Sequence, residues 1–268
     1  MKDRVFRLWW FGVSILGGVS ACLMTFNARA TELLIKPEHF EVEVGRPLSF
    51  SVISTDVFIQ PSELEPKRFV EAALWQKGKS FALPLVENEA AIQLQGVLTL
   101  SEPMSAWLVA HRKGVVWSKT SQGMKLGGRS SAPDSEWSAR YEKFVKLKLN
   151  AHQDDVEFAT PLGHALEIVP VTNLAEIVVG KDVEVRVLLR GQPTMADLVA
   201  TWDGFADTPS TFTYFTQTYS SDENGDPRAR IRISHSGVWL VRTEVKSLAK
   251  GEPFDYEIMR AVLEFEVK

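Results

Sequence analysis

Five histidines are the natural starting point for chemistry in this 268-residue chain: His39, His111, His152, His164 and His235. Imidazole serves as metal ligand and as general base near neutral pH, but either role needs partners at suitable spacing. The nearest two, His152 and His164, are twelve residues apart, and neither HExxH nor His-x-His occurs. Local spacing therefore supplies no zinc site. The densest mixed cluster is NAHQDDVEF, where His152, Asp154 and Asp155 place three nitrogen or oxygen donors within four residues. Such donors suit a divalent cation, although a solvated loop between strands is the plainer reading.

Other motifs fall short on inspection. SSDENGDP sets Asp222, Asn224 and Asp226 at positions 1, 3 and 5 of a calcium loop. Position 6 is then Pro227 and position 12 Ile233, where the loop demands Gly and Glu. The two-residue hairpin turn centred on Asn224-Gly225 is preferred. KGKS (Lys77–Ser80) contains the end of a phosphate loop, yet Ala73 stands where its first glycine belongs, so it reads as a turn. No G-x-S-x-G elbow is present, and a pair of glycosidase-type carboxylates can be drawn in any acidic chain. No catalytic, cofactor-binding or metal-ligating residue is assigned, and neither cofactor nor enzyme activity is expected. The most suggestive surface feature is the row Arg228, Arg230 and Arg232 in RARIRI. Alternate strand residues share a face about 6.5–7 Å apart. Three guanidiniums there suit a carboxylate or phosphate, or are simply balanced by acids on neighbouring strands.

The elements that must carry these residues are strands. PLSFSV, DVEVRV, RARIRI and MRAVLEFEV all alternate apolar and polar residues, the mark of half-buried β-structure. VGRP, KGKS, RGQP, ENGD and SHSG punctuate them as turns. PSELEPKRFVEAAL promises a turn or two of helix and PDSEWSARYEKF a short capped helix. SQGMKLGGRSSAPDS reads as a linker. Three anchors recur across it in the same order: Gly45 and Gly180, Trp75 and Trp202, and Trp107 and Trp239 in two WLV segments. The expectation is all-β: two tandem immunoglobulin/transthyretin-like β-sandwich domains, at 31–120 and 141–268, joined through 121–140. Each would centre on its own tryptophans, since one indole can dominate a core of about 100 residues.

Residues 1–30 are set aside as a signal peptide. Lys2, Arg4 and Arg7 precede a charge-free run from Leu8 to Met24, and NARA offers small residues at Ala28 and Ala30, so cleavage after Ala30 is expected. In the alternative, VSAC (Val19–Cys22) is a lipobox, and only a lipidated Cys22 would tie the protein to a membrane. Removal of residues 1–30 leaves 26 basic against 33 acidic residues, a net −7. That balance argues against nucleic acid. Cys22 is the sole cysteine, so the mature chain would have no disulfide, thiolate zinc site or thiol catalysis. A soluble periplasmic or extracellular protein is expected.

The second half, TPLGHALEIVPVTNLAEIVVGKDVEVRVLLRGQPTMADLVATWDGF with SSDENGDPRARIRISHSGVWLVR and AVLEFEVK, resembles an exported bacterial family of unknown function. That family was once labelled NikM-like, a nickel-uptake-associated periplasmic domain. The same stretch resembles transthyretin-like and carboxypeptidase-regulatory-like sandwiches. Members often begin the mature chain with a histidine-containing segment, which implies Ni²⁺, Co²⁺ or Cu²⁺ binding. Here ATELLIKP puts Thr31, Glu32 and Leu33 at that place, donors less suited to those metals. The expected function is a non-enzymatic cell-envelope binding or interaction module, accessory by resemblance to metal or small-solute uptake. Its partner would be an envelope protein or a small ligand. The alternative is a periplasmic divalent-metal binding and delivery protein, and the third reading an envelope carbohydrate-active enzyme.

Overall fold

The computed structural model describes residues 31–56, 59–203, 218–250 and 252–268, and these form seventeen strands and two short 3-10 turns. The expected all-β sandwich class is met. The first sheet runs β1 (Glu32–Pro37), β2 (Pro47–Thr55), β6 (Gln93–Thr99) and β5 (Val86–Asn88), antiparallel throughout. A second outer sheet runs β10 (Leu166–Pro170), β11 (Asp182–Leu189), β15 (Pro227–Arg232) and β14 (Thr218–Ser221), with β12 (Gln192–Thr194) against β11.

Between them lies one eight-stranded sheet. Its order is β13 (Leu198–Trp202), β16 (Gly237–Leu248), β17 (Tyr256–Val267), β9 (Trp137–Leu149), β7 (Ala106–Thr120), β3 (Val70–Gln76) and β4 (Lys79–Leu83). β8 (Gly123–Leu126) pairs with β7. β9 and β17 meet in parallel and join the two halves of the chain within this sheet. The expected separation of two sandwiches therefore needs correction, because each outer sheet packs on the same central sheet. Residues 121–140 are not a free linker: β8 and the start of β9 lie there, hydrogen-bonded to β7. PDSEWSARYEKF is likewise not a helix, because Trp137 onward alternates as β9 between two partner strands. PSELEPKRFVEAAL keeps one 3-10 turn, Lys67–Phe69.

Period two decides the layering, because successive side chains leave a strand on opposite faces. On one face of the central sheet, Leu108, Ala110, Val145 and Leu147 pack with Leu48, Phe50, Leu94 and Leu98 of the first sheet. On the other, Trp107, Val109 and Leu263 pack with Ile168, Val183, Val185 and Ile231. The far end of the Phe50 ring abuts Gly96, where a Cβ would approach it to 2.4 Å. Both repeated tryptophans, Trp107 and Trp239, are buried in the second core, which corrects the expectation of one tryptophan centre per sandwich.

The repeat is nonetheless structural. Trp75 is opposite Trp107 and Trp202 opposite Trp239 in their ladders. Gly45 N–H donates to the Leu100 carbonyl just after β6, and Gly180 N–H to Ile233 just after β15. Both glycines have positive φ, +75° and +89°, a conformation that costs glycine little.

β1 is an edge strand with unpaired backbone groups, and the central sheet covers that edge with side chains. Glu264 accepts from Ile35 N–H at 2.8 Å and Arg260 donates to the Thr31 carbonyl at 3.0 Å.

Candidate functional site

The motifs singled out from sequence are mostly used up by the fold. Asp155 pairs with Lys148 and accepts from Glu157 N–H, while the His152 carbonyl accepts from Asn173. Among the described residues no three His, Cys, Asp or Glu side chains gather as a metal site. SSDENGDP is a hairpin with a five-residue loop, because Ser221 is opposite Pro227. This corrects the two-residue turn: only Gly225 has positive φ there, and Asp222 accepts from Asn224 and Asp226 N–H instead. Two-residue turns with positive φ at both positions occur at Lys77-Gly78 and Arg190-Gly191. The arginine row is balanced: Arg228 and Arg230 meet Glu184, Arg228 also meets Asp222, and Arg232 meets Asp182.

What the sequence did not announce lies where both cores give way to charge, on one segment of the central sheet. One layer faces the first sheet. Arg112, Lys143, Arg260 and Glu244 stand in one row across β7, β9, β17 and β16. Three cations side by side would repel, and carboxylates from the first sheet, its loop and β16 balance them. Glu65 carboxylate oxygens lie 3.3 Å from Lys143 Nζ and 3.3 Å from Arg112 Nε. Glu32 lies 2.9 Å from Arg242 Nη1, and Glu244 lies 2.6 Å from Arg260 Nη2. Thr31 Oγ1 sits 2.9 Å from both Lys143 Nζ and Ser54 Oγ. Burial alone would raise the Glu65 carboxyl, but Lys143 and Arg112 outweigh it and hold it below the usual range. Burial lowers Lys143, with Glu65 pulling the other way.

The other layer faces the second outer sheet and is half open. His111 Nε2 lies 2.7 Å from Glu142 Oε1, and Arg140 Nη2 lies 2.8 Å from Glu142 Oε2. Arg140 Nη1 reaches Glu257 at 2.9 Å, and Arg190 binds the same carboxylate from the β11–β12 turn. Arg140 can lie where it does because β7 bulges between Arg112 and Val115, and Gly114 in that bulge has no Cβ. A methyl there would fall 2.1 Å from Arg140 Nε. Bulges recur where a side chain must be re-aimed. Burial opposes the charged form of Glu142, but the His111 hydrogen bond and Arg140 prevail and hold its carboxyl low.

Beneath this chain the layer closes. His111 stacks on Phe144 at 4.7 Å, and Phe144 on His164 at 5.4 Å. Burial pushes His164 down to about 4, against the pull of Glu167. Lys146 and Lys148, which VKLKL presents as a polar strand face, are buried with Nζ 4.9 and 4.5 Å from the Trp107 ring centre. Their charges are met by Glu167 at 2.7 Å and by Asp155. Burial lowers Lys146 to about 8, with Glu167 opposing. No local signal marks His111 with Glu142, because the partners are 31 residues apart and come together only by strand pairing.

An open groove of about 560 Å³ borders the half-open layer, lined by Arg140, Arg190, Ser247, Glu252, Phe254 and Glu257 among others. Arg190 is the most exposed cation there, its side chain 61% accessible.

A family model described as a domain of unknown function, DUF4198, matches residues 28–247. No curated protein matches the chain. Among solved structures, a marsupial T cell receptor chain is 12% identical with a TM-score of 0.25, over 80% of this chain and 58% of the receptor chain. The chain thus spans less than two thirds of that receptor chain's length. A chimeric titin Z1Z2 tandem is 10% identical with a TM-score of 0.20, over 89% of this chain and 99% of its own. The N-terminal Ig1-2 module of the Drosophila receptor protein tyrosine phosphatase DLAR is 12% identical with a TM-score of 0.21, over 88% and 99%. At such scores these likenesses carry no argument about function.

Proposed function

This chain belongs to the DUF4198 family, and from that premise we propose that it is a non-enzymatic binding module of the cell envelope. Its ligand carries a carboxylate or phosphate group and is taken in the groove beside Arg140 and Arg190. The single supporting observation is the fork of two guanidiniums on Glu257, one of them anchored through Glu142 and His111 and the other largely exposed. Arginine binds planar anions through paired donors, and an arginine already held in place loses less freedom on binding. The acidic chain around the groove favours selective over indiscriminate capture of anions. Location outside the cytoplasm rests on the basic start, apolar run and NARA of residues 1–30. An accessory role in metal or small-solute uptake rests on the NikM-like resemblance, and the transthyretin-like character on the same stretch.

Calorimetric titration of residues 31–268 with phosphate, acetate and di- and tricarboxylates tests the groove. Saturable binding of at least one, lost in Arg190→Ser, is expected. No binding by any of them, or binding indifferent to Arg190→Ser, would remove the reading. Metal analysis of the same preparation tests the delivery alternative.

A further inference from the structure

Thr31, the residue just before β1, is held by three side chains. Its hydroxyl oxygen is 2.9 Å from Lys143 Nζ and from Ser54 Oγ, and its carbonyl accepts from Arg260. It is also buried, only 4% exposed. Ser54 Oγ and Lys143 Nζ both reach Glu65 Oε1 as well, at 3.2 and 3.3 Å, so Glu65 and Thr31 share two neighbours. Two signs mark this region as short of donors. Glu32 Oε2 is buried with no hydrogen-bond partner among the described residues. Glu63, bridged to Ser54, is raised by burial and by the Glu65 charge, which Lys143 and Arg112 do not fully offset.

We infer that the α-ammonium of Thr31, released by cleavage of the Ala30–Thr31 bond, is a built-in member of this buried cluster and pairs with its carboxylates. The inference rests on the exported reading of residues 1–30 but not on any ligand in the groove. Hydrolysis of that peptide bond consumes one water and yields the Ala30 carboxylate and the Thr31 amine. It turns one neutral amide N–H into a group with three donors and a positive charge. A buried carboxylate gains most from such a group, because a charged hydrogen bond is about twice as strong as a neutral one. Processing is then more than release from a leader: it supplies the cation that completes the contact between β1 and the central sheet.

The test compares three forms of the chain: one starting at Thr31, one starting at Ala30, and one starting at Thr31 with an acetylated amine. The free-amine form should melt at least about 4 °C above the other two, a shift that corresponds to roughly 1–2 kcal/mol in a domain of this size. Glu65→Gln should shrink that gap. Should Glu65→Gln fail to fold, labelling of the wild type with an amine-reactive reagent decides: the Thr31 amine should react at least tenfold more slowly than that of a peptide. Equal melting temperatures, peptide-like labelling, or an exported chain whose mass places its first residue elsewhere would each overturn the inference. None of these results bears on anion binding by Arg190.

Discussion

The two charged layers occupy neighbouring rows of the central sheet, one on each face, and differ in who completes them. Toward the first sheet, Arg112, Lys143 and Arg260 are sealed under β1 and paired with Glu65, Glu32 and Glu244. Toward the second outer sheet, Arg140, Glu142 and Glu257 form a chain that ends in a largely exposed Arg190. Alternating residues of β9 feed both: Lys143 turns one way, Glu142 and Phe144 the other. A sealed ion pair is expensive to break because the orphaned charge stays out of water, whereas an exposed pair contributes little and is free to exchange partners. Structure is therefore expected of the first layer and recognition of the second.

Removing Lys143 should be the most damaging single change. Lys143→Met leaves Glu65 facing one fewer cation and strips a donor from Thr31, and about 3–5 kcal/mol should be lost by urea denaturation. A loss below about 1 kcal/mol would mean that the layer is wet rather than sealed.

Acidity should distinguish the faces next. Burial raises Glu264, which caps β1, from an ordinary 4.5 to about 8. The folded chain then holds its proton more tightly than the unfolded chain. The stability this contributes is complete below about pH 4.5 and drains away as pH rises to about 8. Glu264→Gln should abolish that decline in a series of melting curves. His164 has the opposite sign, its value falling from 6.5 to about 4. Its contribution is present above pH 6.5 and disappears as pH falls toward 4, and His164→Phe should flatten that limb.

Smaller effects are expected on the open layer. Gly114→Ala should cost about 1 kcal/mol or somewhat more, because the new methyl must push aside the Arg140 side chain. It should weaken anion binding in the same titration. Arg190→Ser should change stability by less than about 0.5 kcal/mol while removing the binding. A large loss of stability there would make Arg190 a strut rather than a receptor.

Parts of this arrangement were readable in advance. The alternation of DVEVRV and RARIRI placed Val183, Val185 and Ile231 in a core, where they are. The bland reading of the arginine row also holds, with Asp182 and Glu184 as its partners. Asn224-Gly225 misled because turn type depends on loop length: five residues and an Asp222 side chain that caps the loop replaced the short turn. Lys146 and Lys148 show a different limit of the two-residue period. They alternate with apolar residues, but the face they point to is covered by Trp107, Glu167 and Asp155, none of them on β9. His111 and Glu142 offered no signal at all.

Local chemistry by itself determined that this chain makes strands, where glycine turns them, and that Gly45–Trp75–Trp107 and Gly180–Trp202–Trp239 are parallel phrases. Only the tertiary structure decided that both phrases feed one central sheet and that Trp107 and Trp239 share one core. The physical reason is that a two-residue period states which side chains travel together and is silent on which face is covered. That choice belongs to strands far away in the chain, and with it goes the difference between a buried charge and an available one.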